Sequence, residues 1–395
     1  VLKDSFKHTP NKPIAKSIVN FLVAVPFMLS CSCSFQTSEM ESDQVNSFKP
    51  LIATDTLVFE RDSTSHSFYV FQHLPDDFAE RYLQGNREGH SLIFYNEHGK
   101  IIRKHQIDYD GPYGVNRILG IYAHNKDTIA VFSDSQVFLS NHRAQFYQKY
   151  MALDINQKAL NMISISTPAR ILGSHIYFNT LSLSGYHNLG LSFRLSLKDG
   201  QIGLTNYYPE DIKNGFWVGA PFISSYNTFN PKKQSIYYGL AYDPFVREVD
   251  YNGSENKFRV VPTEYIDLEP LFSDAEDYKS NNSETRKKMM FSRLLFGPVA
   301  YDPYQNLIYR ICFLPTNAAN AVKIDSDRFP LSLNFKIIVF DFEQDKIISE
   351  SQEFPGSEFE THVFFVNKNG FYLKLKDTSE DEASFLGFRI KKSIP

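Results

Sequence analysis

From Leu51 onward, short apolar runs alternate with polar clusters rich in Asn, Asp, Gly and Pro. Apolar runs of about four to eight residues between such clusters predict β-strands joined by tight turns. Two stretches make the pattern concrete, "FNPKKQSIYYGL" (Phe229–Leu240) and "YDPYQNLIYRIC" (Tyr301–Cys312). Each runs aromatic, Asn or Asp, Pro, four turn residues, then Ile-Tyr. Pro and Asn/Asp set the turn that feeds the strand. Weaker copies of the strand half occur at Phe68, Ile129, Ile176 and Phe371, so that with Ile236 and Ile308 there are six anchors, spaced 61, 47, 60, 72 and 63 residues apart.

After most anchors comes an apolar pair of runs around a polar turn: Ile93–Ile102, Leu153–Leu160, Leu195–Leu204, Val249–Val261 and Val339–Ser349. These have hairpin turn chemistry. An anchor strand, a hairpin and a bridging strand make a four-stranded unit. Six such units predict an all-β chain folded as a six-bladed β-propeller, with residues 51–395 as a single domain. The competing architectures are a large β-sandwich and a pair of smaller β-domains. The last unit is short, and the early run "DTLVFERD" (Asp55–Asp62) is expected to complete it, closing the ring and hiding its sheet edges. One segment breaks the β pattern. Residues 267–295 are charged, and "SETRKKMMFSRLL" begins with Ser283 as an N-cap, which predicts a partly helical insertion between the fourth and fifth units.

Composition sharpens this picture in two ways. Of 395 residues, 35 are Phe and 23 Tyr, and such residues favour pleated, half-buried surfaces. The formal net charge of −4 argues against a nucleic-acid partner. The three cysteines do not make a disulfide framework, since two lie near the N-terminus and Cys312 sits alone in an apolar run.

The N-terminus supplies an address. Lys3, Lys7, Lys12 and Lys16 precede an apolar run from Ile18 to Leu29, followed by Cys31 and Cys33. The run is short for a membrane span, which needs about 20 residues. A basic region, a short apolar core and a small residue before the cut describe a secretory signal peptide over residues 1–30. "MLSC" (Met28–Cys31) resembles a bacterial lipobox, which makes Cys31 the lipidated residue (palmitate among the acyl groups) and residues 31–50 a polar tether. Losing residues 1–30 removes a net +3 and leaves −7. Glu39, Glu41 and Asp43 make the tether acidic, a pattern similar to export signals of outer-membrane lipoproteins.

Together, the lipobox, the tether, the strand-rich remainder and "GPVAYDPYQNLIYR" (Gly297–Arg310) resemble a family of Bacteroidetes lipoproteins known as a domain of unknown function and similar to six-bladed TolB-like propellers. Tyr301-Asp302-Pro303 and Tyr309-Arg310 carry the match; Gln305 stands where the pattern expects a basic residue. The resemblance implies a fold and a place on the cell envelope, and it brings no catalytic residues.

The chain shows no metal-ligand spacing among its 11 His, no nucleophile elbow and no phosphate-binding glycine loop. No cofactor is expected. Three connections, Asp110–Arg117, Phe216–Phe222 and Arg293–Pro303, place Gly and Pro just ahead of a strand. Their Tyr113, Arg117, Trp217 and Arg293 would form an aromatic and cationic ligand surface near a propeller axis. Asp55–Leu57 and Asp127–Ile129 resemble short O-glycosylation sites, with Thr56 the better candidate. The expectation is therefore a monomeric, non-catalytic β-propeller, anchored by lipid to a bacterial envelope and its outer membrane, that binds a partner protein, peptide or glycan. The alternative is an envelope hydrolase or lyase acting on glycans, with its active site at the propeller axis.

Overall fold

The computed structural model describes residues 50–390 except 65–69, 135, 152–168, 180–189, 208–224, 251–254, 261–271, 274, 325–331 and 377–378. The expected signal peptide, Cys31 and most of the tether lie outside these residues, as do the anchor Phe68 and the hairpin 153–160. Residues Phe48–Pro395 make one compact unit. Its strands form six four-stranded antiparallel sheets, the blades of a six-bladed β-propeller.

Blade I contains β2 (Val70–His73), β3 (Tyr82–Asn86), β4 (Ser91–Tyr95) and β5 (Ile101–Gln106). Blade II has β6 (Gly120–Asn125), β7 (Thr128–Ser133), β8 (Gln136–Ser140) and β9 (Phe146–Met151). Blade III has β10 (Arg170–Leu172), β11 (His175–Asn179), β12 (Gly190–Ser196) and β13 (Ile202–Tyr207). Blade IV is β14 (Ser225–Asn230), β15 (Ser235–Leu240), β16 (Phe245–Val249) and β17 (Glu255–Arg259). Blade V is β18 (Leu295–Asp302), β19 (Leu307–Phe313), β20 (Phe335–Asp341) and β21 (Lys346–Glu350). Blade VI is β22 (Phe359–Asn367), β23 (Gly370–Leu375), β24 (Glu382–Ile390) and, from the other end of the domain, β1 (Leu51–Glu60). β1 pairs antiparallel with β24, Leu57 opposite Phe385, so the expected closure of the ring holds.

Burial follows radial position. β4, β15, β18 and β19 are buried at every residue, because each is covered by blades on both sides. The outer strand β5, "IIRKHQ", alternates half-buried and exposed. Continuous apolar runs therefore mark inner and middle strands, and the alternation in β5 marks an outer one.

The anchor strands are not the innermost strands of the blades. Ile129, Ile176, Ile236, Ile308 and Phe371 are on β7, β11, β15, β19 and β23, the second strand of each blade. The repeated motif is the turn between first and second strands. In blade V, Asp302 Oδ1 accepts from the amides of Tyr304 (2.8 Å) and Gln305 (3.0 Å). In blade IV, Asn230 Oδ1 accepts from Lys232 (3.0 Å) and Lys233 (3.1 Å). Each turn ends on a left-handed residue, Asn306 (φ 56°) and Gln234 (φ 52°). The Asn/Asp side chain replaces a backbone acceptor, which is why the motif demands it. Asp341 repeats the arrangement between β20 and β21, accepting from Glu343 at 2.8 Å.

Side chains stitch neighbouring blades. Gln72 on β2 both donates to the carbonyl of Ala123 (3.1 Å) and accepts from its amide (2.8 Å) on β6. Thr228 Oγ1 on β14 accepts from the Tyr301 amide on β18 (3.0 Å). The Tyr150 hydroxyl donates to the Leu197 carbonyl at 2.6 Å, joining blades II and III.

The insertion is helical as expected, with α1 (Ala275–Ser280) and α2 (Ser283–Phe291) before β18, and a short α3 (Ala318–Ala321) follows β19. The cap of α2 is Asn282 rather than Ser283, and its side chain accepts from the Thr285 amide at 2.8 Å. Met290 and Phe291 of α2 are buried in the cluster that fills blades IV to VI. Thr56 is an exposed residue of β1, and Thr128 opens β7.

Candidate functional site at the propeller axis

Each blade contributes its first strand to one central cavity of about 350 Å³, lined from β2, β6, β10, β14, β18 and β22. The lining comes from residues of these strands, Arg170 at the start of β10 among them, and from the turns that follow β2, β14 and β18, namely Leu74–Asp76, Pro231, and Pro303 with Tyr304. The cavity thus opens on the face that carries the turns between first and second strands. Because neighbouring strands run antiparallel, connections between blades enter the inner strands at the opposite end.

This geometry separates the residues expected from sequence. Tyr113 and Arg117 are exposed in the β5–β6 connection. The Tyr113 hydroxyl donates to the carbonyl of Tyr147 at 3.4 Å, on the outer strand β9, so it sits at the periphery. Arg293 is half-buried between α2 and β18. Trp217 lies outside the described residues. None of Tyr113, Arg117 and Arg293 lines the cavity.

The residues that do line it are scattered over six segments. Phe71, Phe229 and Phe364 are half-buried, and Tyr304 is exposed at the mouth. Two histidines are held neutral. Burial, with Arg81 nearby and only partly offset by Asp76, lowers His73 to about 4. Burial and the neighbouring Lys374 lower His362 to about 3. Asp76, at the rim, pairs with Arg81 at 3.3 Å.

Arg170 is the cation of the wall. It opens β10, and its guanidinium carbon lies 4.9 Å from the centre of the Tyr122 ring. Burial lowers its pKa, with Tyr122 opposing, but a guanidinium remains charged at any ordinary pH. Among the described residues, no three His, Cys, Asp or Glu side chains come together to hold a metal ion.

The comparisons with known proteins agree with this architecture. A family model described as a domain of unknown function, DUF4221, matches residues 50–352. The chain belongs to the DUF4221 family. A DUF4221 member from Bacteroides vulgatus superposes with a TM-score of 0.76 at 17% identity, covering 88% of this chain and 100% of that one. A protein from Bacteroides fragilis described as exported gives a TM-score of 0.54 at 11% identity, covering 89% and 98% of the two chains. At these identities the likeness is one of fold. No curated protein matches this DUF4221 chain.

The cavity was hard to read in the linear sequence because each inner strand supplies only a few residues. The available signal was polar residues inside apolar strands just before a turn, as in "VFQH", "SYNTFN" and "THVFF".

Proposed function

We propose that this DUF4221 protein is a lipid-anchored component of the bacterial cell envelope, held in the outer membrane through Cys31, that binds a glycan or peptide in its axial cavity without turning it over. The observation that carries the binding role is the cavity itself, bounded by all six inner strands and opening on one face. A rigid scaffold with partly exposed aromatic side chains and a few polar groups is the usual form of a small-ligand site. The envelope address is supported by the lipobox-like "MLSC" and by the structural likeness to a Bacteroides fragilis protein described as exported. The exposed Tyr113 and Arg117 offer a second, peripheral surface for a partner protein.

The chemistry of the cavity favours binding over the alternative of glycan hydrolysis or elimination. General acid–base work at neutral pH is best served by a group titrating near that pH. Burial has moved both cavity histidines far below it.

Two measurements test the proposal. Cys31→Ala should move the protein from the membrane fraction to the soluble fraction; unchanged fractionation removes the anchor. Isolated protein should bind envelope glycans or peptides saturably and leave them intact, and Tyr304→Ala, at the mouth, should weaken that binding. Turnover of any of them supports the enzyme instead.

A further inference from the structure

We infer that the axial cavity recognises a carboxylate, and that Arg170 is the residue that holds it. The inference rests on the cavity being the binding site and adds the chemical class of its occupant.

The argument starts from what Arg170 lacks. A guanidinium has five N–H donors spread around its edge and none on its faces. The Tyr122 ring, 4.9 Å from the guanidinium carbon, gives these donors no oxygen acceptor. Among the described residues, the Arg170 side chain has no hydrogen-bond or ion-pair partner, and Asp76 is the one carboxylate among those lining the cavity. Asp76 is engaged by Arg81.

The fully buried cations among the described residues are each partnered, whereas Arg170 is half-buried. Arg247 has Asp243 at 2.7 Å, Lys374 has Glu360 at 2.8 Å, and Arg310 donates to two main-chain carbonyls. Arg170 stands out as a cation lying over an aromatic ring and facing a cavity. A planar fork of donors is matched by a carboxylate, which accepts two parallel N–H bonds.

The surroundings describe the body that carries this group. Phe71, Phe229 and Phe364 line the cavity with half-buried rings, and His73 and His362 stay uncharged. Such walls suit a flat ring and add no second positive charge. The ligand is therefore a single carboxylate on a ring, the ring being that of a sugar acid or of an aromatic acid.

Calorimetric titration of the full chain at neutral pH tests this with two matched pairs. One pair is galacturonate and galactose, the other phenylacetate and 2-phenylethanol. The acid of at least one pair should bind saturably and its neutral partner at least about tenfold more weakly, in line with a hydrogen bond to a charged group. Which acid binds identifies the source of the carboxylate. Arg170→Gln should abolish the acid's advantage, and Arg170→Lys, which keeps the charge without the fork, should retain part of it. The comparison of acid with neutral ligand uses the native chain, so it stands even where Arg170→Gln fails to fold. Equal affinity for acid and neutral members, or full acid binding by folded Arg170→Gln, overturns the carboxylate and leaves the cavity as a binding site. If neither pair binds, the carboxylate inference fails, and absence of binding across the wider glycan and peptide screen removes the binding role too.

Discussion

The guanidinium of Arg310 donates to the main-chain carbonyl of Leu240, 2.9 Å away in the preceding blade. A second N–H reaches the carbonyl of Phe245 at 3.1 Å, and the group lies over the Phe296 ring. One side chain on β19 thus braces the turn between β15 and β16. Space for it exists because residue 239 is glycine. A Cβ there would stand 3.0 Å from Arg310 Nη2 and 3.0 Å from Val299 Cγ2. Arg310→Met should therefore cost about 2–4 kcal/mol through lost charge-assisted hydrogen bonds. Gly239→Ala should cost about 1–3 kcal/mol by overpacking. In urea unfolding the double variant should lose less than the two singles combined, because the guanidinium nitrogen that the added methyl meets is gone. Additive losses would show that the two residues do not share this space.

Ring closure depends on Phe59, a fully buried residue of β1. Its ring lies 4.9 Å from Phe71 and Tyr82 of blade I and 5.4 Å from Phe385 of blade VI, in edge-on contacts. The strand that closes blade VI therefore also glues it to blade I. Phe59→Ala should cost about 3–5 kcal/mol. Protection of β1 and β24 amides in hydrogen exchange should fall before that of blade III. Uniform loss of protection across all blades would argue against a local opening at the closure.

How far the fold was legible from sequence follows from these same residues. The turn motif could be read because Asp302 and Asn230 each satisfy backbone donors, so the residue type is dictated locally. That motif marks the turn, so the strand it announces is the second of the blade. The inner strands are harder to see. They carry residues such as Gln72 and Thr228, whose polar side chains are used up in stitching blades. Closure by β1 was foreseeable because the last unit was a strand short. The residues lining the cavity at the expected axis were not, since Arg170 sits in a three-residue strand with no motif around it. The connection bearing Tyr113 and Arg117 drew attention instead, and it enters β6 at the far end from the mouth.

Acid should destabilise the protein before its carboxylates titrate. His362 has an ordinary value of 6.5 and is held at about 3 in the folded protein, by burial and by Lys374. Well above pH 6.5 neither state carries the proton. As pH falls below it, the unfolded chain binds a proton that the folded one refuses, so stability drops until the folded value is reached. Between about pH 8 and about pH 5 this one group should remove about 2 kcal/mol. His73, held at about 4 chiefly by burial, acts in the same direction. Urea unfolding at the two pH values measures the loss, and His362→Gln should reduce it substantially. An unchanged pH dependence in that variant would mean that His362 is not the group responsible.

Cys312 offers an independent view of blade V. Its side chain is fully buried with Phe296 and Ile338, and burial pushes the thiol up to about 12 despite the nearby Arg310. Alkylation needs a thiolate and a path to it, and the folded protein denies both. Iodoacetamide at about pH 8 should therefore label Cys312 only as fast as the protein opens. Mass mapping of the Cys312 peptide distinguishes it from Cys31 and Cys33. If opening is global, stabilising or destabilising substitutions elsewhere, such as Phe59→Ala, should change the labelling rate in proportion to stability. Arg310→Met should do so as well, and more steeply if blade V also opens on its own, because its brace to blade IV is lost while β1 stays paired with β24. Labelling of the native protein at the rate of a free thiol would show that β19 is reached without unfolding, and would count against Arg310 as the brace.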